Sequence, residues 1–189
     1  MMPEFELLTP QTAPERAREN LEKFEKKFRF IPNMQRAMSL SPETLDCYLA
    51  SFDEFEKTSF TPAEKQVVLI ATSIENNCTY CVAGHTGLAR MAKMSPEDLE
   101  ALRAGTTMPD PKLNALRNFT RQMVLSRGQM NDADVEAFLA AGFNKQNLIE
   151  VVLGVAHKTI SNYVNQLVRT PLDSAFAQDK WERTTGPTS

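Results

Sequence analysis

The sequence has few of the residues that mark several large classes of protein. It contains three cysteines and two histidines, and an odd, small number of thiols cannot form a disulfide scaffold. No apolar run approaches the roughly 20 residues of a membrane-spanning helix. The acidic N-terminus lacks the basic and apolar regions of a secretory signal. These absences predict a protein of a reducing, cytoplasmic compartment.

An excess of charge of either sign is also missing. The net charge of −3 gives no reason to expect a nucleic acid or a membrane surface as a partner. The hydrophobic fraction of 42% and the charged fraction of 24% are ordinary for a globular protein. A chain of 189 residues is long enough for one domain with a sizeable core and short for two. One domain is predicted over residues 14–173, between an N-terminal arm at 1–13 and a C-terminal tail at 174–189.

Helix start signals recur along the chain. At four points a hydroxyl residue precedes a proline, which is typical of an N-cap followed by the first helical residue. These pairs are Ser41-Pro42, Thr61-Pro62, Ser95-Pro96 and Thr170-Pro171. With the apolar spacing and the glycines that can end helices, they predict helices at 14–30, 34–40, 42–57, 62–75, 78–93, 96–104, 111–127, 132–141, 145–160 and 163–169. The tail after Leu172 is predicted to be frayed.

Two β-branched apolar runs, 66–71 and 148–156, are also compatible with buried strands. Each lies in a longer unit with a helix start signal, and no partner strand follows, so buried helices are favoured. A shift of 84 residues aligns the triplet Val-Val-Leu of the first run with that of the second. The predicted fold is therefore all-α, with a helical domain built from two related helical hairpins. In this register Asn162 and Asn165 correspond to Cys78 and Cys81.

The chemistry is concentrated between residues 75 and 85. If this stretch is helical, Cys78, Cys81 and His85 share one face, because they are spaced three and four residues apart. Asn76 or Asn77 can cap a helix that starts at Cys78 and place its sulfur at the positive end of the helix dipole. His85 can take the proton of Cys81 directly or through one water molecule. This arrangement predicts a thiol–disulfide active site.

Other interpretations of these residues stay open. The cysteines can be two inert apolar residues with His85 as a satisfied polar group. A structural zinc site needs four ligands, and the isolated Cys47 and His157 offer no second pair, so neither a metal nor another cofactor is predicted. Cys47 is expected to pack in the core or an interface, and His157 to be structural.

An aromatic residue inside the motif and a carboxylate inside the second apolar run are also candidate site residues. Tyr80 lies between the cysteines and is either a core aromatic residue or a polar lid over the sulfurs. Glu150 is a carboxylate inside an apolar run, where such a group is usually paired or has a raised pKa.

The pattern Glu75-x-x-Cys78-x-Tyr80-Cys81-x-x-x-His85, after a capped apolar helix, resembles the carboxymuconolactone decarboxylase-like superfamily and its alkylhydroperoxidase D-type, peroxidase-related branch. The resemblance covers roughly residues 20–173. Its other parts are Ile31-Pro-Asn-Met34, Ser41-Pro-Glu43, Ala115-Leu116 with Phe119, Ala141-Gly-Phe143 and Ile160-Ser-Asn-Tyr-Val-Asn165. It implies an all-α fold that assembles into homotrimers or hexamers.

The resemblance also implies a reaction, the reduction of organic hydroperoxides by the cysteine pair without a cofactor. Cys81 would attack the peroxide, Cys78 would resolve the sulfenic acid into a disulfide, and His85 would be the base or proton relay for Cys81. An external dithiol or lipoyl-type donor would reduce the disulfide. By the dipole argument alone, Cys78 would be the more acidic thiol.

The chain departs from the family pattern at two positions. The glutamate that usually lies twelve residues before the first cysteine is Gln66 here, and a histidine often found before the second cysteine is Tyr80. We therefore consider the hypothesis that Glu150, which the 84-residue register aligns with Gln66, supplies the missing carboxylate to the proton relay.

Three alternative functions remain. The chain could be a carboxymuconolactone decarboxylase-type enzyme that works by proton transfer. It could be an oligomeric redox sensor switched by the same disulfide. It could also be a metal-binding structural protein.

Overall fold

The computed structural model describes residues 4–183, without the side chains at positions 27 and 28. In this part of the chain all regular structure is helical, which confirms the all-α prediction. The helices are α1 (Glu15–Phe28), α2 (Asn33–Met38), α3 (Pro42–Glu56), α4 (Pro62–Glu75), α5 (Thr79–Met91), α6 (Pro96–Ala104), α7 (Pro111–Leu125), α8 (Asp132–Ala140) and α9 (Lys145–Val168), followed by a 3-10 helix (Ser174–Asp179). None of these helices is long and apolar enough to cross a membrane.

Three of the four predicted proline caps begin helices. The side chains of Ser41, Thr61 and Ser95 each accept a hydrogen bond from a backbone N–H in the first turn of α3, α4 and α6. Such a cap satisfies one of the free N–H groups at a helix start. The fourth prediction, at Thr170-Pro171, is wrong, because these residues follow the end of α9 and no helix begins before the 3-10 helix.

Helix α4 lies at the centre of the main core. Its residues from Val67 to Ile70 have no exposed surface, and the helix packs against α5, α7 and α9. Burial on all sides explains why this run is apolar around its whole circumference. Where α9 crosses α4, Gly154 has no room for a side chain, because a Cβ atom there would lie 2.6 Å from Val68 and 2.7 Å from Phe55.

The segment that the 84-residue register aligns with α4 and the start of α5 is continuous. Helices α4 and α5 are separated by a turn in which Asn77 adopts the left-handed conformation, with φ of 53°. The corresponding segment is the single helix α9, of 24 residues, so the predicted break between residues 160 and 163 is wrong. No glycine or proline lies between residues 155 and 168. As a result, Lys158, Asn162 and Asn165 lie along one face of a single helix.

The predicted fraying of the C-terminal tail is wrong for the part that the structure describes. Asp179 forms an ion pair with Arg90 of α5 at 2.5 Å. The indole N–H of Trp181 donates to the backbone carbonyl of Arg103 at 2.8 Å. These contacts hold the segment against α5 and α6. Positions 184–189 lie outside the described residues.

Candidate thiol site

Cys78 and Cys81 lie at the N-terminus of α5. The N-cap is Cys78 itself, rather than Asn76 or Asn77, and its sulfur lies 3.4 Å from the backbone nitrogen of Cys81. Both cysteines are free thiols. They are 2% and 3% exposed, so the reactive atoms lie below the surface.

Helix α9 presents polar side chains to both sulfurs. The amide nitrogen of Asn165 lies 3.2 Å from Sγ of Cys81 and 3.9 Å from Sγ of Cys78. The hydroxyl of Ser161 lies 3.9 Å from Sγ of Cys81. Since the 84-residue register aligns Asn165 with Cys81, the aligned residues of the two halves meet in space.

The two thiols have opposite acidities. Burial alone raises the pKa of Cys81, but the hydrogen bond from Cys78, the charge of Lys158 and the amides of Asn165 and Asn162 outweigh it and lower this pKa to about 5. The hydrogen bond to Cys81, together with burial, raises the pKa of Cys78 far above its usual range. At neutral pH Cys81 is therefore the thiolate and Cys78 the thiol, against the order that the dipole argument predicts.

His85 is held between two polar side chains. Its Nδ1 lies 2.9 Å from Oε1 of Gln66, and its Nε2 lies 3.0 Å from Nζ of Lys158. Burial, followed by the charge of Lys158, lowers the pKa of His85 well below its usual value. Both ring nitrogens are engaged, so His85 forms no direct hydrogen bond with Cys81. The predicted transfer through one water molecule stays a prediction.

Lys158 is the site residue that sequence reasoning missed. It is 1% exposed, and no aspartate or glutamate in the described part of the chain forms an ion pair with it. A signal was present in the sequence. Lys158 is four residues before Asn162 and seven before Asn165, on the same helix face as the pair that the register aligns with the cysteines.

Tyr80 is a buried link to the C-terminal segment. Its hydroxyl donates to Oδ2 of Asp173 at 2.5 Å and lies 3.3 Å from the backbone nitrogen of Met34. Its ring packs edge-on against Phe176, with centroids 5.9 Å apart. Burial and the neighbouring Asp173 raise its pKa far above the usual range. The structure shows no hydrogen bond between Tyr80 and His85 or Gln66 among the described residues.

Glu150 lies away from the thiols. Its carboxylate accepts hydrogen bonds from the backbone and hydroxyl of Ser59 at 3.0 and 2.6 Å. It precedes Lys158 by eight residues on α9, which is about 12 Å along the helix. The hypothesis that Glu150 supplies a carboxylate to the relay is therefore wrong, because Ser59 and its neighbours bind that carboxylate.

In the part of the chain that the structure describes, no hydrogen bond joins His157 or Cys47 to the sulfurs of Cys78 and Cys81. His157 stacks on Tyr48 with centroids 4.6 Å apart, and its Nδ1 lies 2.9 Å from the hydroxyl of Ser51. Burial and the charge of Lys158 lower its pKa to about 3. The prediction that Cys47 packs in the core is wrong, because this thiol is exposed. A place for Cys47 in an interface stays a prediction.

The comparisons with known proteins agree with the resemblance. Residues 42–122 match the model of the carboxymuconolactone decarboxylase family. A search of curated proteins finds no match. The match confirms the resemblance to the carboxymuconolactone decarboxylase family over those residues.

Three solved structures share the fold. The alkylhydroperoxidase AhpD core of a peroxidase-related protein from Ralstonia eutropha JMP134 is 21% identical with a TM-score of 0.81, covering 91% of this chain and 93% of that one. A peroxidase-related protein from Silicibacter sp. TM1040 is 19% identical with a TM-score of 0.74, covering 86% and 87%. The debrominase Bmp8 is 14% identical with a TM-score of 0.71, covering 87% and 90%.

Proposed function

We propose that this chain, whose residues 42–122 match the carboxymuconolactone decarboxylase family, is a thiol-dependent peroxidase that reduces organic hydroperoxides. The observation that carries the proposal is a pair of adjacent buried thiols in unequal surroundings, since the amide nitrogen of Asn165 lies 3.2 Å from Sγ of Cys81 and 3.9 Å from Sγ of Cys78. The pKa of Cys81 is lowered to about 5, whereas the pKa of Cys78 is raised. A thiolate beside a protonated thiol is what the two steps of such a reaction need, since one sulfur attacks and the other resolves.

In the first step the Cys81 thiolate attacks the terminal oxygen of the hydroperoxide. The O–O bond breaks, Cys81 becomes a sulfenic acid, and the alkoxide takes up a proton and leaves as an alcohol. In the second step Cys78 attacks the sulfenic sulfur, forming the Cys78–Cys81 disulfide and water. An external dithiol, of the lipoyl type or similar, then reduces the disulfide and is itself oxidised to a disulfide.

The surroundings of the sulfurs support an organic substrate. The cysteines pack in a cluster with Met34, Met38, Leu45, Tyr48 and Tyr80, among other apolar side chains. Such a lining favours an alkyl group over the small, strongly hydrated hydrogen peroxide. Because the sulfurs are almost fully covered, the substrate must displace part of this cluster to reach Cys81.

The test is peroxide consumption by the purified protein with a panel of dithiol donors. Cys81→Ser and Cys78→Ser should each abolish turnover, whereas Cys47→Ser, at an exposed cysteine, should not change it. A sulfenic-acid trap should label the Cys78→Ser variant at Cys81 and leave the Cys81→Ser variant unlabelled. Labelling of Cys78 instead would reverse the assigned roles.

The same variants separate the alternative functions. Activity on a muconolactone-type acid that survives the double cysteine variant would replace the peroxidase with a decarboxylase. Reversible oxidation that changes assembly, with no turnover of peroxide, would make the protein a redox sensor.

Homo-oligomerisation is part of the proposal. Helix α9 exposes a stripe of large apolar side chains at helical spacing, namely Ile149, Val152, Tyr163 and Leu167, which are 71%, 45%, 61% and 55% exposed. Exposed large apolar side chains on one helix face are typical of an interface, and a second copy of the chain would cover them. Light scattering should report an oligomer for the wild type and a smaller species for Ile149→Glu with Tyr163→Glu.

A further inference from the structure

Lys158 is a buried cation without a carboxylate partner in the described part of the chain. Its side chain is almost completely covered, at 1% exposure, and the polar contact of its ammonium is Nε2 of His85 at 3.0 Å. A charge removed from water in this way is strongly unfavourable unless an opposite charge compensates it. The ammonium form of Lys158 therefore needs an anion other than an aspartate or glutamate.

The groups around Lys158 leave one candidate for that anion. Gln66 is neutral, and His85 and His157 are both neutral because their pKa values are lowered. The pKa of Tyr48 is raised, so its phenol keeps its proton. Cys78 keeps its proton because its pKa is raised. The remaining group is Cys81. Lys158 binds His85, four residues after Cys81, and it lies seven residues before Asn165, whose amide nitrogen is 3.2 Å from Sγ of Cys81. The charge of Lys158 stabilises the thiolate of Cys81.

We propose that Lys158 is the acid of the peroxidase reaction: its ammonium pairs with the Cys81 thiolate in the reduced protein and gives its proton to the alkoxide that leaves the hydroperoxide. This inference rests on the proposed function and names the residue that supplies the proton for the leaving alkoxide. His85, whose Nδ1 donates to Gln66, offers Nε2 as an acceptor and so holds the ammonium in place.

The protons balance in this scheme. The reduced site holds one thiolate, one thiol and one ammonium. Reaction with one hydroperoxide yields the disulfide, one alcohol, one water and a neutral lysine amine. The thiol proton and the hydroxyl of the sulfenic acid form the water, and the ammonium proton goes to the alkoxide. The buried site is uncharged before and after oxidation, and no proton needs to come from solvent.

This role also explains the glutamine at position 66. A carboxylate there would favour a protonated imidazole, and an imidazolium beside the Lys158 ammonium would place two positive charges 3.0 Å apart. The neutral amide of Gln66 keeps His85 neutral and leaves the positive charge on Lys158.

The first test needs no turnover. In a Cys47→Ser, Cys78→Ser background Cys81 is the one cysteine left, so the ultraviolet absorbance of the thiolate reports its pKa. Lys158→Met, which keeps the length of the side chain but not its charge, should raise that pKa by about 1 to 3 pH units. Lys158→Arg should preserve the low value, and Lys145→Met, at an exposed lysine of the same helix, is the matched control. An unchanged pKa in Lys158→Met overturns the pairing.

The second test asks whether Lys158 donates the proton. Hydroperoxides whose alcohols differ in pKa should react with the wild type at similar rates, because the leaving alkoxide is protonated as it forms. In Lys158→Met the rate should fall by tenfold or more, and it should fall further for the less acidic alcohols. Equal rates and equal sensitivity to the leaving group in the two proteins would refute the acid role and leave the proposed function intact.

A third test uses the wild-type protein, so it does not depend on the folding of a variant. Oxidation by one equivalent of hydroperoxide in weakly buffered solution near neutral pH should take up no proton from solvent. Uptake of one proton for each disulfide formed would mean that Lys158 stays charged, and the acid role would be wrong. If the wild type consumes no peroxide with any donor, the proposed function fails and the acid role fails with it, while the thiolate titration still decides the pairing.

Discussion

The side-chain oxygen of Gln66 lies 2.9 Å from Nδ1 of His85, and this contact determines which ring nitrogen carries the proton. The ammonium of Lys158 can only donate, so Nε2 of His85 must be the acceptor in the other contact, at 3.0 Å. The proton is therefore on Nδ1, and the amide oxygen of Gln66 accepts it. In the series Gln66–His85–Lys158, the neutral imidazole of His85 lies between the amide of Gln66 and the ammonium of Lys158.

Replacing Gln66 with glutamate should raise the pKa of His85 by about 1 pH unit or more, because a carboxylate beside Nδ1 stabilises the imidazolium. An NMR titration of the His85 ring nitrogens measures this change. Gln129→Glu adds the same charge at an exposed position of the turn after α7 and should leave the ring unaffected. If His85 titrates alike in both variants, the amide is not its partner.

Acid should destabilise the protein through its histidines. The folded-state pKa of His157 is lowered to about 3 and that of His85 is also lowered, whereas a histidine in the unfolded chain titrates near 6.5. Below about pH 6.5 the unfolded state therefore binds protons that the folded state does not, and the free energy of unfolding falls by up to about 1.4 kcal/mol per pH unit for each histidine.

Urea unfolding at several pH values between about 4.5 and 6.5 tests this linkage. His157→Phe keeps an aromatic ring on Tyr48 and should remove up to about 1.4 kcal/mol per pH unit from the slope. A slope equal to that of the wild type would show that His157 is not buried as a neutral ring.

Gly154→Ala should lower the free energy of unfolding by about 1 to 3 kcal/mol, as expected for overpacking of a core. The added Cβ would lie 2.6 Å from Val68 and 2.7 Å from Phe55, so α9 would have to move away from α4. The matched control is Gly87→Ala, in α5, where the nearest atom to the new Cβ is 3.7 Å away. This control should be neutral or slightly stabilising. Equal midpoints of chemical unfolding for the two variants would contradict the prediction.

Asp179→Ala should detach the C-terminal segment from α5 before the rest of the protein unfolds. Asp179 accepts from both terminal nitrogens of Arg90, at 2.9 and 2.5 Å, and such charge-assisted contacts contribute about 1.5 to 3 kcal/mol. Trp181 is the only tryptophan of the chain, so its emission reports this segment alone. We expect the emission to shift to the red at a lower urea concentration than the loss of helical circular dichroism.

The control for this prediction is Glu182→Ala. Glu182 pairs with Lys180 at 2.8 Å, but both side chains are more than two-thirds exposed, at 73% and 69%. Exposed pairs of this kind contribute little, so the two transitions should stay as in the wild type. If Asp179→Ala also leaves them unchanged, the Arg90 pair does not hold the segment.

The starts of most helices could be predicted from sequence because they depend on neighbouring residues. A hydroxyl before a proline caps its own helix whatever lies elsewhere, so α3, α4 and α6 begin at the predicted residues. The same signal failed at Thr170-Pro171, where the chain leads into the packed C-terminal segment. The break predicted in α9 failed for a related reason, since the turn at Asn77 has no counterpart in the second half.

The sequence by itself determined the helical fold and the spacing that brings Cys78, Cys81 and His85 to one part of α5, because these features depend on residues a few positions apart. Only the tertiary structure decided which thiol is ionised and what His85 contacts. Those properties depend on Lys158, Asn162 and Asn165, which lie more than 70 residues away along the chain and reach the sulfurs and His85 only when α9 packs against α4 and α5. Electrostatic interactions follow distance in space and burial, neither of which is read from local sequence.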